Sequence, residues 1–85
     1  MSQFILYTTS HCHLCEQAEA LLLELEYPLD WIAVEIAADD TLMERYGKSI
    51  PVVKHCDNGS ELNWPFNRLD LIEFISSNLH TNNHA

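Results

Sequence analysis

Positive charge is scarce in this sequence of 85 residues. Four lysines and arginines stand against thirteen aspartates and glutamates, which leaves a formal net charge of −9 at pH 7. A surface this acidic repels the phosphate backbone of nucleic acids and the anionic lipids of membranes. We therefore expect neither a nucleic acid nor a membrane surface among the partners.

Long apolar runs are also missing. No apolar stretch reaches the 18 or so residues of a transmembrane helix, and the start, MSQFILYTTS, has no basic residue and only four consecutive apolar ones before Thr8. The three cysteines are an odd number, which fits the disulfide framework of a secreted protein poorly and a reducing compartment better. These features predict a cytoplasmic protein.

Glycine and proline are few as well, with two and three residues, while 47% of the chain is hydrophobic. This composition argues against disorder and against a flexible linker between two domains. A chain of this length has room for one hydrophobic core. We expect a monomer with a single domain at residues 1–79 and a polar tail at residues 80–85.

The hydrophobic periodicity predicts seven elements in the order β-α-β-α-β-β-α. In chain order they are a strand at 3–7, a helix that starts near Ser10 and ends before Pro28, a strand at 29–37, a helix at 39–49, strands at 50–56 and 60–64, and a helix capped by Asn67. Asn58 and Gly59 form a strong hairpin signal between the last two strands. This order predicts an α/β sandwich with a four-stranded mixed sheet.

The same periodicity predicts which side chains the helices bury. In the first helix they are Leu14, Ala18, Leu21, Leu22 and Leu25, and in the last they are Leu69, Ile72, Ile75 and Leu79. For the middle helix, Thr41 and Glu44 have the spacing of a capping box, and Gly47 stands where a helix would end.

The stretch SHCHLCE at residues 10–16 carries the chemistry. It places Cys12 in or just before the first turn of the first helix, and Cys15 about one turn further along. The free N–H groups and the positive end of the helix dipole favour a thiolate there, below the ordinary thiol pKa of about 8.5. This position predicts that Cys12 is the nucleophile, and that Cys15 resolves the mixed disulfide which Cys12 would form.

Two other interpretations of the pair remain open. The cysteines could be small buried side chains, although their neighbours Ser10, His11 and His13 are polar. They could also ligate zinc or an iron–sulfur cluster, with His55 and Cys56 as further candidate ligands. An extended strand puts Cys56 roughly 16 Å from Pro51, at about 3.3 Å per residue, which is too far to reach the pair if Pro51 faces it. We therefore expect Cys56 to be a half-buried spectator and no metal to be bound within the chain.

Three segments together resemble the glutaredoxin-like proteins of the thioredoxin superfamily. They are TTSHCHLCEQAEALL at the first helix, SIPVV at the third strand and the DNG hairpin, and the likeness extends over residues 3–79. The resemblance implies a thioredoxin-like fold with sheet order 2-1-3-4 and the third strand antiparallel to the first. It also implies a cis peptide bond between Ile50 and Pro51, next to the cysteines.

The resemblance further implies that the site binds a thiol-bearing substrate. Because Pro51 has no N–H, the backbone of Ile50 is expected to be free to pair with an extended peptide. Lys48 is a candidate partner for a substrate carboxylate, and His11 and His13 are candidates to contact substrate and tune Cys12. The chain departs from typical members at the lysine before the cysteines and at the Gly-Gly-Asp turn, which holds the carboxylates of glutathione in those proteins.

The sequence therefore predicts an enzyme, a dithiol–disulfide oxidoreductase that reduces or exchanges protein or glutathione mixed disulfides. No cofactor is expected, and glutathione is a candidate co-substrate. The alternative is a thioredoxin-fold binding module or accessory subunit, in which Cys12 and Cys15 ligate zinc or an iron–sulfur cluster between two protomers.

Overall fold

The computed structural model describes residues 3–25 and 29–80, with the backbone alone for residues 79 and 80. Its elements are β1 (Phe4–Thr8), α1 (His13–Leu23), β2 (Trp31–Glu35), α2 (Asp40–Tyr46), β3 (Val52–His55), β4 (Glu61–Asn63) and α3 (Arg68–His80). The predicted order of strands and helices is confirmed. Within this described part of the chain, no helix is long and apolar enough to cross a membrane.

The four strands form one mixed sheet in the order β2-β1-β3-β4. β1 runs parallel to β2 and antiparallel to β3, which is in turn antiparallel to β4. The sheet order and strand directions that the resemblance implied are therefore confirmed, and the fold is thioredoxin-like.

The strand register determines which loops meet at one end of the sheet. Tyr7 in β1 lies opposite Val52 in β3, whereas Phe4 lies opposite His55. Because the two strands are antiparallel, the residues that follow β1 and the residues that precede β3 lie at the same end of the sheet. The segment leading to Cys12 is therefore at the same end of the sheet as Pro51.

Helices cover both faces of the sheet. The face under α1 and α3 holds a buried cluster of Phe4, Leu6, Ala18, Leu22, Val53, Phe66, Leu71 and Ile75. The opposite face holds a smaller buried cluster of Tyr7, Ile36, Tyr46 and Val52, in which the rings of Tyr7 and Tyr46 stack with centroids 4.3 Å apart. Alternate residues of β1 supply both clusters, as the pleat of a strand requires.

Two of the predicted core positions are wrong. Leu14 is 43% exposed and Leu69 is 70% exposed. In α3 the buried apolar positions are Leu71 and Ile75, four residues apart on one face. Leu69 precedes Leu71 by two residues, about 200° of helical rotation, so it faces away from that core. The other end of the predicted stripe, Leu79, lies outside the described side chains.

The helix ends differ in part from the prediction. α2 is capped by Asp39, whose carboxylate accepts hydrogen bonds from the N–H groups of Thr41 and Leu42 at 2.9 and 3.1 Å. Thr41 lies inside the helix, so the predicted capping box at that residue is wrong. Gly47 is the C-cap, at the expected place. α1 ends at Leu23, while Pro28 and residues 81–85 of the predicted tail lie outside the described residues.

Candidate active site

Cys12 is itself the N-cap of α1. Its backbone is extended, with φ −100° and ψ 105°, and its Sγ accepts a hydrogen bond from the N–H of Cys15 at 3.1 Å. Ser10, near which the helix was expected to start, instead donates its hydroxyl to Glu35. A sulfur in the cap position thus receives an N–H that the helix would otherwise leave free.

The two cysteines form a disulfide, with Cα atoms 5.2 Å apart. Their surroundings differ, because Cys15 is only 2% exposed whereas Cys12 is partly exposed. The sulfur that solvent and a substrate can reach is therefore that of Cys12. Cys15 lies beneath it in the first turn of α1.

A cleft of about 170 Å³ lies beside the disulfide. Its lining comprises both cysteines, Leu6, Thr8, Thr9, Ser10, His11, Glu16 and Glu19. His11 is exposed and has a positive φ of 61°, in the left-handed region that non-glycine residues enter at a cost of roughly 1–2 kcal/mol. His13, the first residue of α1, is also exposed but does not line this cleft.

The peptide bond between Ile50 and Pro51 is cis, so this implication of the resemblance is confirmed. Pro51 is buried, and its carbonyl accepts a hydrogen bond from the N–H of Trp64 at 3.2 Å. The expectation that the whole backbone of Ile50 is free is wrong, since its N–H donates to the carbonyl of Tyr46 at 3.1 Å. The backbone group of Ile50 left to pair with a bound peptide is therefore its carbonyl.

The basic residues near this turn differ in their contacts. Lys48 is exposed. Arg45 lies 3.7 Å from the carboxylate of Glu61 and over the ring of Tyr46, which also donates its hydroxyl to Glu61. Burial and this carboxylate raise the pKa of Tyr46. Arg45 is thus engaged between α2 and β4, and Lys48 is an exposed cation two residues before Ile50.

A second cis peptide bond, which the sequence did not predict, joins Trp64 and Pro65. It stands between β4 and α3, at the same end of the sheet as Pro51. There Asn67 and Asp70 exchange hydrogen bonds, each side chain accepting from the other's N–H at 2.8 and 3.1 Å. The predicted cap at Asn67 is confirmed by this pair.

Glu35 is the residue at the site that the sequence reasoning missed. It ends β2 directly beside Thr8, the last residue of β1. One carboxylate oxygen accepts from the N–H and the hydroxyl of Ser10 at 3.0 and 3.1 Å, and the other accepts from the N–H of Ala37 at 3.0 Å. A glutamate at the end of a strand beside a cysteine loop was the available signal.

These hydrogen bonds lower the pKa of Glu35 from its ordinary value of 4.5, the largest contribution coming from the side chain of Thr9 and the next from the N–H of Ala37. A lowered pKa means that the contacts are complete above pH 4.5 and are lost as the pH falls through the folded-state value. We expect the NMR shift of the Ser10 amide to titrate with a midpoint below 4.5. Glu35→Gln should remove that transition, and a midpoint at or above 4.5 in the native chain would contradict the assignment.

The residues proposed as further metal ligands lie at the other end of the sheet. His55 pairs with Phe4, and the N–H of Cys56 donates to the carbonyl of Gln3 at 2.8 Å. Cys56 is exposed and lies beyond the end of β3, so the prediction that it is half-buried is wrong. Among the side chains described, those of residues 3–25 and 29–78, no three from histidine, cysteine or acidic residues converge closely enough to hold a metal ion.

His55 is buried, at 1% exposure, with its ring centroid 4.9 Å from that of Phe4. Neither of its ring nitrogens has a hydrogen-bond partner among the described residues. It therefore acts as part of the core beneath α3 and does not contact the cysteines.

Comparison with known proteins agrees with this fold. A family model described as a glutaredoxin-like domain (DUF836) matches residues 3–76. The X-ray structure of protein XcR50 from X. campestris superposes with a TM-score of 0.79 at 32% identity, over 87% of this chain and 96% of that one. The NMR structure of Ne2328 from Nitrosomonas europaea gives 0.65 at 20% identity over 85% and 88%, and supports the fold alone. No curated protein matches the chain. Because the family model covers most of its length, the chain belongs to the glutaredoxin-like family.

Proposed function

We propose that the protein is a dithiol–disulfide oxidoreductase in which Cys12 attacks and Cys15 resolves. The observation that carries this proposal is the difference between the two sulfurs of one disulfide. Cys12 is partly exposed and caps a helix, while Cys15 is 2% exposed directly below it. An accessible thiol that receives an N–H has the properties of a nucleophile, and a shielded one within reach has those of a resolving thiol.

In the reduced protein the proposed reaction has two steps. The thiolate of Cys12 attacks one sulfur of a substrate disulfide, forms a bond to it, and releases the other sulfur as a thiolate that takes up a proton. The thiolate of Cys15 then attacks Sγ of Cys12 and releases the second substrate thiol, again with a proton. The substrate disulfide gains two electrons and two protons, and the cysteine pair loses them. A low-molecular-weight thiol or another dithiol protein returns the pair to its reduced form.

The neighbouring turn offers a place for the substrate backbone. With its N–H bound to Tyr46, Ile50 retains its carbonyl as the acceptor for an N–H of a bound peptide. The exposed Lys48, His11 and His13 are the candidate side-chain contacts, and Lys48 would serve a substrate carboxylate. We propose disulfides of proteins, including mixed disulfides with glutathione, as the substrates of a monomer that acts in the cytoplasm, where thiol reductants are present.

The proposal is tested by mixing the reduced full-length protein with a fluorescent peptide disulfide and, in parallel, with the same peptide joined to glutathione. We expect each protein molecule to reduce about one disulfide in the absence of added reductant, since the pair carries two electrons. The control is the double variant with Cys12→Ser and Cys15→Ser, which retains Cys56. Release no faster than in that control, together with zinc or iron in anaerobically purified protein, would favour the metal-binding alternative.

A further inference from the structure

The segment that delivers Cys12 to the helix is short and has an unusual conformation. Three residues, Thr9, Ser10 and His11, join the end of β1 to the N-cap at Cys12. His11 has a φ of 61°, which a residue with a Cβ adopts only when its surroundings hold it there. The position of the Cys12 sulfur therefore depends on what fixes the residues just before His11.

Glu35 supplies that fixation from a different element. Its carboxylate uses one oxygen for the N–H and the hydroxyl of Ser10 and the other for the N–H of Ala37. The side chain of Thr9 is the largest cause of the lowered pKa of this carboxylate. Hydrogen bonds to a carboxylate are stronger than those between neutral groups. One side chain at the end of β2 thus joins the loop before Cys12 to the loop that leads to α2.

The neighbouring backbone reinforces the same connection. The N–H of Ile36 donates to the carbonyl of Thr8 at 3.0 Å, and Thr8 lies opposite Glu35 in the parallel register of β1 and β2. Beyond Thr8 the strand pairing ends, and the described contacts that tie Ser10 to β2 are those with the Glu35 side chain. The anchor is therefore a side chain at the point where the sheet no longer holds the chain.

We propose that Glu35 is a positioning residue of this site, which holds Ser10 so that the turn at His11 places the sulfur of Cys12 at the start of α1. The inference rests on the proposed function for its effect on turnover, although its effect on the loop can be observed without turnover. When the Cys12–Cys15 bond is open, the loop loses that covalent link. In that reduced state Glu35 has its largest effect, which is on the rates of the two attacks in which Cys12 takes part.

The expected effect is on the chemical steps more than on substrate binding. A small displacement of a reacting atom lowers its rate by up to about a hundredfold. We expect Glu35→Ala to lower kcat by about tenfold to a hundredfold with little change in KM. Glu35→Gln should fall between this variant and the native protein, because its amide oxygen still accepts from Ser10 while its amide nitrogen cannot accept from Ala37.

The matched control is Glu44→Gln, which removes one negative charge from an exposed position on α2 and should leave kcat unchanged. Ser10→Ala tests the contact from its other side. Its effect and that of Glu35→Ala should be less than additive in the double variant, because both remove the same hydrogen bond. Circular dichroism shows whether each variant is folded. If Glu35→Ala does not fold, Glu35→Gln and Ser10→Ala still test the role of the contact.

Two readouts separate this inference from the proposed function. Amide hydrogen exchange in the full-length protein should show that Ser10 is protected in the native chain and loses protection in Glu35→Ala, whether or not the protein turns over. A native protein that exchanges no disulfide would overturn the proposed function only. An active native protein whose Glu35 variants match Glu44→Gln in kcat, or a Ser10 amide whose exchange is unchanged, would overturn the role of Glu35.

Discussion

Replacing Cys12 by serine is expected to lower the rate of disulfide reduction by at least about a thousandfold, because a hydroxyl replaces the nucleophile on which both steps depend. Cys15→Ser should behave differently. Cys12 remains able to attack, but the resolving thiol is gone, so the protein should accumulate as a mixed disulfide with the peptide. Intact-mass spectrometry measures this as one added peptide thiol per chain.

Both variants are best compared in a Cys56→Ser background. Cys56 is exposed, so it is a second thiol that could acquire an adduct, and it lies at the far end of β3 from Pro51. Cys56→Ser alone should keep the native rate. The roles are contradicted if Cys12→Ser accumulates the adduct and Cys15→Ser does not, since Cys15 would then be the attacking residue despite being 2% exposed.

Phe4→Ala is expected to destabilise the fold by about 3–5 kcal/mol. Phe4 is fully buried in the central strand β1, with its ring centroid 4.9 Å from that of His55 and 6.1 Å from that of Phe74. Its removal leaves a cavity that side chains from β3 and α3 cannot fill without moving. In a small domain, where total stability is about 5–15 kcal/mol, the midpoint of thermal unfolding should fall by at least about 12 °C.

Leu69→Ala is the matched control for this prediction. Leu69 belongs to the stripe predicted from sequence but is 70% exposed, so truncation should change the free energy of unfolding by no more than about 0.5 kcal/mol. Denaturant titration of both variants gives the comparison. Equal losses of stability at Phe4 and Leu69 would contradict the placement of α3 on the sheet.

The order of elements was predictable because each has a local signal. β1 is a compact apolar run, α2 begins at an acidic cap, and the Asn58-Gly59 turn separates β3 from β4. The sheet order is a different matter, because periodicity alone does not say which strands are neighbours. The order was implied by the resemblance of the SIPVV segment and the cysteine helix, taken together, to glutaredoxin-like proteins. The pairing of β1 with β3 confirms it.

The sequence of α3 alone did not predict which face of the helix packs on the sheet. Leu69, Ile72 and Ile75 are spaced as a helical stripe should be, yet the buried face is centred on Leu71 and Ile75. Which stripe is buried depends on how the helix lies on the sheet, and the helix has apolar residues on more than one side. Tertiary packing decided between two locally acceptable choices.

Of the residues that surround the cysteines, only their neighbours in the sequence were predictable. Cys12 and Cys15 could be placed at a helix start because the residues that cap and form the helix are adjacent to them. The position of Glu35 at the site could not be predicted in this way. Its contact with Ser10 joins residues 25 positions apart and depends on the register of β1 with β2.

The central claim is that Cys12 and Cys15 interconvert reversibly between a dithiol and a disulfide, and a redox titration tests it most directly. The Cys56→Ser protein is equilibrated in buffers of reduced and oxidised glutathione, quenched, and its thiols counted by alkylation and mass spectrometry. The account predicts one transition between two free thiols and none, identical whether it is approached from the oxidised or the reduced side. Thiols that stay reduced in every buffer, or that end only as separate glutathione adducts, would contradict it.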